Sequence, residues 1–292
     1  MRITEANRYQ SFLQDVSRAQ DRLVKAQQQV SSGKRVAKPS DDPGATTDIL
    51  RLNSDKNESA QYSKNVSFAT SKLQTTDGVL DTIEQIVERA RVLGLSSLSN
   101  PAAAKGYATE TTALRDQLFT SANTTFAGRY IFGGSVTTTA PYIKNPDSSI
   151  TYAGDGEDMP LEIGHSLTIQ TQIPGSDLFN GPVDIFATLS DLAAAMQAGD
   201  KAGMDAQVQK IEQFTDVMSV ARSKVGGYLN LATSVESNMS TANVAREKVL
   251  SQEEAADLAA AISELTTSQN ALQATLSVGA RLSELNIWNF LK

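Results

Sequence analysis

The stretch YQSFLQDVSRAQDRLVKAQQQVSSG, residues 9–33, decides how this chain is read. Tyr9, Phe12, Val16, Ala19, Leu23, Ala26 and Val30 recur in alternating steps of three and four, the seam of a helix that packs along a second helix. Ser31, Ser32 and Gly33 end the pattern. Lys38 to Gly44 (KPSDDPG) then reads as a loop, because Pro39 biases Lys38 away from the helical region and Gly44 adds freedom.

A seam of this kind needs a partner, and a second unpartnered one stands at the far end of the sequence. Leu258, Ile262, Leu265, Leu272 and Leu276 lie on one stripe. The stripe passes to Val278 and, across a discontinuity expected at Gly279, to Leu282 and Leu285, and the sequence closes on an apolar tail, Ile287-Trp-Asn-Phe-Leu291. Each terminal seam is expected to cover the other or a neighbouring molecule. Burying one leucine contributes about 1.5–3 kcal/mol, so several buried together offset the entropy of ordering the segment. Tyr9, Phe12, Val16, Leu23 and Val30, with Leu258, Ile262, Leu265, Leu272, Leu276, Leu282 and Leu285, are therefore the expected assembly seam.

Between the ends, Tyr62, Val66, Ala69, Leu73, Thr76, Leu80, Ile83, Val87 and Ala90 form another alternating seam, expected to pack within the chain on a helix of roughly 40 Å. Asn100 and Pro101 read as an N-cap and first-turn proline of a third helix, carrying Tyr107, Leu114 and Leu118 and ending near Ala127 and Gly128. From Arg129 to about Asn180 the period shortens, as in Pro160–Ile163 and Ser166–Ile173, which predicts a small β-rich insertion with a two-residue hairpin turn at Gly164-His165. Helical spacing returns with Ile185, Leu189, Leu192 and Met196. It continues through Met204, Val208, Ile211, Met218, Val225 and Leu229, with Gly226-Gly227 expected to weaken or kink the helix. The fold class is mainly α with a β-rich insertion.

Composition narrows the chemistry. The chain has 292 residues, 40% of them hydrophobic, enough for a sizeable core. It has no cysteine, which excludes disulfides, thiolate zinc sites and cysteine nucleophiles. A net charge of −7 argues against a nucleic-acid or anionic-membrane partner, since both need a basic face. Charges interleaved through the first thirty residues leave no secretory apolar core, and no apolar stretch is long enough to span a membrane.

No catalytic constellation stands out. His165 is the sole histidine and sits in a predicted turn. Ser32-Gly-Lys-Arg35 lacks the spacing and hydroxyl of a phosphate loop, and Phe132-Gly-Gly-Ser135 is too short for a dinucleotide fingerprint. The pairs Asp41-Asp42 and Glu253-Glu254 are read as helix-start carboxylates meeting the positive end of a helix dipole. Asp155, Glu157 and Asp158 lack calcium-loop spacing. No metal, cofactor or catalytic residue is expected.

Residues 27–50, QQQVSSGKRVAKPSDDPGATTDIL, resemble the N-terminal motif of the flagellin family, in which a helix ends in Ser-Ser-Gly and a basic stretch leads through an Asp-Asp turn to the next helix. Residues 254–291 resemble that family's C-terminal helix. The opening Met1-Arg-Ile-Thr4, Pro43, and Phe126-Ala-Gly-Arg-Tyr-Ile-Phe-Gly-Gly-Ser135 resemble the hook–filament junction branch rather than the filament subunits.

The resemblance implies three domains: terminal helices from both chain ends (1–40 plus 252–292) lying in an inner tube, a helical-bundle rod (41–128 plus 182–251), and a small outer β domain (129–181). It implies a non-enzymatic, extracellular structural subunit that joins hook to filament and leaves the cell through the flagellar type III channel. The implied partners are other copies of itself, a neighbouring hook-associated protein, flagellin and an export chaperone. The competing readings are a minor filament subunit, a secreted helical effector or adhesin, and an enzyme using the Asp155–Asp158 cluster.

Overall fold

The structure, a computed structural model, describes residues 2–290, with side chains described for residues 7–281. In order, the elements are α1 (Arg2–Ser32), α2 (Pro43–Ser99), a 3-10 turn (Pro101–Ala103), α3 (Ala104–Ala122), β1 (Thr125–Phe126), β2 (Arg129–Tyr130), β3 (Tyr142–Lys144) and β4 (Ile150–Tyr152). They continue with β5 (Pro160–Gly164), β6 (Leu167–Gln170), α4 (Gly175–Phe179), α5 (Ile185–Ala198), α6 (Lys201–Glu254) and α7 (Leu258–Phe290). The fold is mainly α with a strand-containing segment. Packing divides the chain into two compact units: residues 59–240, and residues up to Glu58 together with those from Thr241.

In the central unit the seam on α2 is buried throughout from Val66 to Ala90. Opposite it, α6 contributes Met204, Val208, Ile211, Phe214, Met218, Ala221 and Val225, again at helical spacing. Helix α5 adds Ile185, Leu189, Leu192 and Met196. It is started by the Asp184 carboxylate, which accepts from the Ala187 amide at 2.9 Å, and stopped by Gly199 in the left-handed region. On the solvent side Arg222 of α6 reaches three carboxylates of α2: Asp77 at 3.3 Å, Asp81 at 3.2 Å and Glu84 at 2.6 Å.

Several sequence-based boundaries shift. Asn100 makes no side-chain cap and precedes the 3-10 turn, not the α-helix itself. Helix α3 ends at Ala122, and Ala127-Gly128, both at positive φ, form the tip of the β1–β2 hairpin. In the β5–β6 hairpin the turn falls one residue later than expected, at His165-Ser166, with Gly164 paired to Leu167 and Ser166 carrying the positive φ. Helix α6 runs unbroken through Gly226-Gly227. Gly279 lies inside α7, where the sequence placed a discontinuity.

The β-rich segment is three separate antiparallel hairpins. Two short strands alone are marginal in water, so these hairpins depend on side-chain packing. Phe132, Tyr142, Phe179, Phe186 and Phe214 supply it at β3–β4, with Phe132–Phe179 at 5.3 Å and Tyr142–Phe186 at 5.1 Å between ring centroids, while Phe126 of β1 packs on Phe68 and β5–β6 buries Ile163 and Ile169. Tyr142 donates its hydroxyl to Asn180 Oδ1 at 3.1 Å, and burial pushes its phenol well above the usual range. In the Phe132-Gly-Gly-Ser135 turn, the Ser135 amide and hydroxyl donate to the Asp155 carboxylate.

Candidate functional site: the paired chain ends

Helices α1 and α7 pack along each other. On α1, Ala26 is buried and Phe12, Val16, Ala19, Leu23 and Val30 are half-buried, while Tyr9 is exposed. On α7 the covered positions are Ala261, Leu265, Ser268, Leu272, Thr275 and Gly279, spaced four and three in alternation. Leu265 and Leu272 therefore belong to the seam. Leu258, Ile262 and Leu276 stand beside it, each about half exposed, at 51%, 53% and 50%. Leu282 and Leu285 lie outside the residues whose side chains are described.

The seam is asymmetric. The ring of Phe12 on α1 occupies the space where Gly279 of α7 would carry a Cβ. Gly279 is thus a notch for Phe12, which the sequence pattern by itself recorded only as an interruption. The covered face of α7 holds Ala261, Ser268, Thr275 and Gly279 beside Leu265 and Leu272, and its apolar stripe is wider than the contact with α1. The surplus is the exposed flank of Leu258, Ile262 and Leu276.

Beyond α1 the two ends of the chain are tied together by backbone. Gly33, at φ 67°, ends the helix, and its carbonyl accepts from the Ala256 amide at 2.9 Å. The Arg35 amide donates to the Glu254 carbonyl at 2.6 Å, framing an antiparallel bridge between Lys34 and Ala255. Lys34 Nζ also meets Glu254 Oε2 at 2.8 Å. The Arg35 guanidinium spans Asp42 Oδ2 at 2.8 Å and the Glu253 carbonyl at 3.0 Å.

These contacts correct the reading of Glu253-Glu254, which sit at the end of α6 and answer Lys34 and Arg35. The start of α7 is capped by Asp257 instead, which accepts from the Ala259 and Ala260 amides. The other acidic pair does lie at a helix start. Asp42 accepts from the Ala45 amide at 3.0 Å, while Asp41 gathers the amides of Ala37 and Lys38 and pairs with Lys25 at 3.0 Å. The Lys25 ammonium holds the Asp41 carboxyl below its ordinary range, and the Arg35 guanidinium does the same for Asp42.

The positions weighed for chemistry are engaged elsewhere. Asp155 is occupied by Ser135, Asp158 accepts from Gln170 at 2.7 Å, and His165 is exposed in its turn. Among the described residues no group of three or more His, Asp or Glu side chains is arranged to hold a metal. The site with the most structure to explain is therefore the pairing of the chain ends.

A family model for the bacterial flagellin N-terminal helical region matches residues 3–137, which take in nearly all of α1, the Gly33–Asp42 crossing, α2 and α3. The chain is flagellin-like. It is 26% identical over 320 aligned residues to "Flagellar hook-associated protein 3" of Escherichia coli (strain K12), covering 100% of both proteins. Its likeness to a "Flagellin" of Listeria innocua is 25% over 282 residues, covering 90% of this chain and 88% of that one. In fold this flagellin-like chain superposes on the crystal structure of Xanthomonas campestris FlgL with a TM-score of 0.61 at 18% identity, over 68% of this chain and 99% of that one.

Proposed function

We propose that the chain is a structural adaptor of the bacterial flagellum, joining the hook to the flagellin filament. The observation that carries this reading is the likeness to a hook-associated protein over the whole length of both chains. The paired ends supply a physical means. An α1–α7 pair with an uncovered apolar flank is suited to packing against the same pair in neighbouring subunits, where Leu258, Ile262 and Leu276 leave water. Tyr9, exposed on α1, adds an aromatic anchor.

In this reading the protein acts outside the cell without catalysis. The terminal helices, 1–40 with 252–292, line the inner tube, the helical bundle forms the rod, and the hairpins face outward. Its neighbours are further copies of itself, an adjoining hook-associated protein and flagellin. A chaperone and the flagellar type III route account for its export, because an α1–α7 pair whose apolar flank is covered only by neighbours lets the subunit travel unfolded and lock on arrival. The Listeria likeness keeps one second reading in view, that of a minor filament subunit, which differs in copy number.

Replacing Leu258, Ile262 and Leu276 together by glutamine tests the mechanism. The purified variant is expected to keep its helicity, because all three are exposed, yet to be missing from isolated flagella. Normal incorporation would contradict a role for this flank.

A further inference from the structure

Lys72 of α2 is only 9% exposed, and its ammonium makes one long hydrogen bond, 3.4 Å to Thr171 Oγ1. Among the described residues no carboxylate acts on it. The charge that acts on it has its own sign: Arg129 of β2 lies nearby, exposed and without an ion-pair partner among those residues. Burial, with Arg129 adding to it, lowers the Lys72 ammonium to about 8. One turn before it, Phe68 is 46% exposed and rests edge-on against Phe126 at 5.6 Å, and Phe126 is paired with Arg129 in the β1–β2 hairpin. A poorly paired cation in the field of a second, beside a partly bare aromatic pair, is unfavourable alone and favourable once a carboxylate arrives.

The end of β6 separates this surface from one of opposite charge. Thr171 meets Lys72, whereas Gln170 meets Tyr228 of α6 at 2.6 Å and Asp158 at 2.7 Å. On the Gln170 side lies a cleft of about 430 Å³ whose lining includes Ile173, Val220 and three carboxylates, Asp158, Asp177 and Asp216, against one ammonium, Lys224. Asp216 and Val220 are exposed. The floor includes Gln172, 5% exposed, neither of whose amide atoms has a protein partner.

We propose that these surfaces are complementary halves of one contact between copies of this chain, in which the Lys72–Arg129 site of one copy receives a carboxylate from the Asp158–Asp177–Asp216 cleft of the next. The inference rests on the assembly reading above. Charge selects the occupant: at net −7 two copies repel in most orientations, and a local cation site facing an acid-lined cleft reverses that in one of them. Because the two patches differ, the contact is head to tail, the kind that propagates around a ring when its rotation closes.

The absence of cysteine makes the test direct. Thr125→Cys and Val220→Cys, at exposed positions beside the two sites and leaving Arg129 and Asp216 in place, are introduced singly and together, and intact flagella are treated with a short bismaleimide. The double variant is expected to give a ladder of linked copies, and each single variant to lose it. As a charge test, Arg129→Glu is expected to reduce the fraction of cells bearing filaments and added Asp216→Arg to restore it. If the double variant stays monomeric in flagella that contain it and carry filaments, the proposed contact is wrong and the adaptor reading stands. If the unaltered protein is missing from flagella, the adaptor reading falls and takes this inference with it.

Discussion

The ring of Phe12 fills the place of the side chain that Gly279 lacks, so the two chain ends are matched in shape at a point 267 residues apart in sequence. A larger residue at 279 must push the ring out. Gly279→Leu is expected to weaken the α1–α7 pairing by about 1–3 kcal/mol, the usual cost of overpacking. In a Phe12→Ala background the same change should cost far less. A double-mutant cycle, read by protease cutting within α1, checks this: strong coupling supports the fit and simple additivity contradicts it.

Asp42 joins the Arg35 guanidinium to the first turn of α2, and its carboxyl is held below the ordinary range. A depressed carboxyl contributes stability that is fully present above its unfolded value, about pH 4, and is lost as pH falls through the folded value. Asp42→Asn should therefore lower the melting temperature near neutrality, and the difference from the unaltered protein should shrink in strong acid. Melting curves across the acid range test it; a constant difference would contradict the assignment.

How much of this was legible in the sequence depends on where each feature gets its stability. The α1 seam from Phe12 to Val30 and the Val66–Ala90 seam were readable because a heptad of apolar residues records which face is covered, although Tyr9, placed in the same seam, is exposed. The packed face of α7 was not, because Ala261, Ser268, Thr275 and Gly279 carry no hydrophobic signal, and the leucine stripe drew attention to its neighbouring flank. The end of α6 at Glu254 was also hidden. Glu-Glu-Ala-Ala-Asp has no glycine or proline, and the break there accompanies the Lys34–Ala255 bridge, a contact across the sequence. The turn after β5 was misplaced by one residue because Ser166, not Gly164, adopts the positive φ.

Lys72 is held as a poorly paired cation, so removing the charge should stabilise the isolated protein. Lys72→Met is expected to raise stability at pH 7 by on the order of 1 kcal/mol, less than the full shift because the side chain keeps some contact with water. A lysine with a lowered folded value binds fewer protons than the unfolded chain between about 8 and the ordinary lysine range. Stability of the unaltered protein therefore rises with pH across that window, and the advantage of the methionine variant should fade. Denaturant unfolding at neutral and alkaline pH would show this, and an advantage independent of pH would assign the gain to packing.

Arg222 answers three α2 carboxylates from a single position on α6. Arg222→Met leaves Asp77, Asp81 and Glu84 repelling one another along one helix face. The expected cost is about 1 kcal/mol at low ionic strength, diminishing as salt screens the repulsion. Chemical denaturation in urea at two salt concentrations reads both; a loss insensitive to salt would point to packing instead.

The measurement that bears most directly on the adaptor function is deletion of the gene, followed by electron microscopy of the cells and assay of the medium for flagellin. The account predicts hooks without filaments and flagellin released into the medium, because subunits are exported with nothing to grow from. Normal filaments on the deletion strain would contradict it.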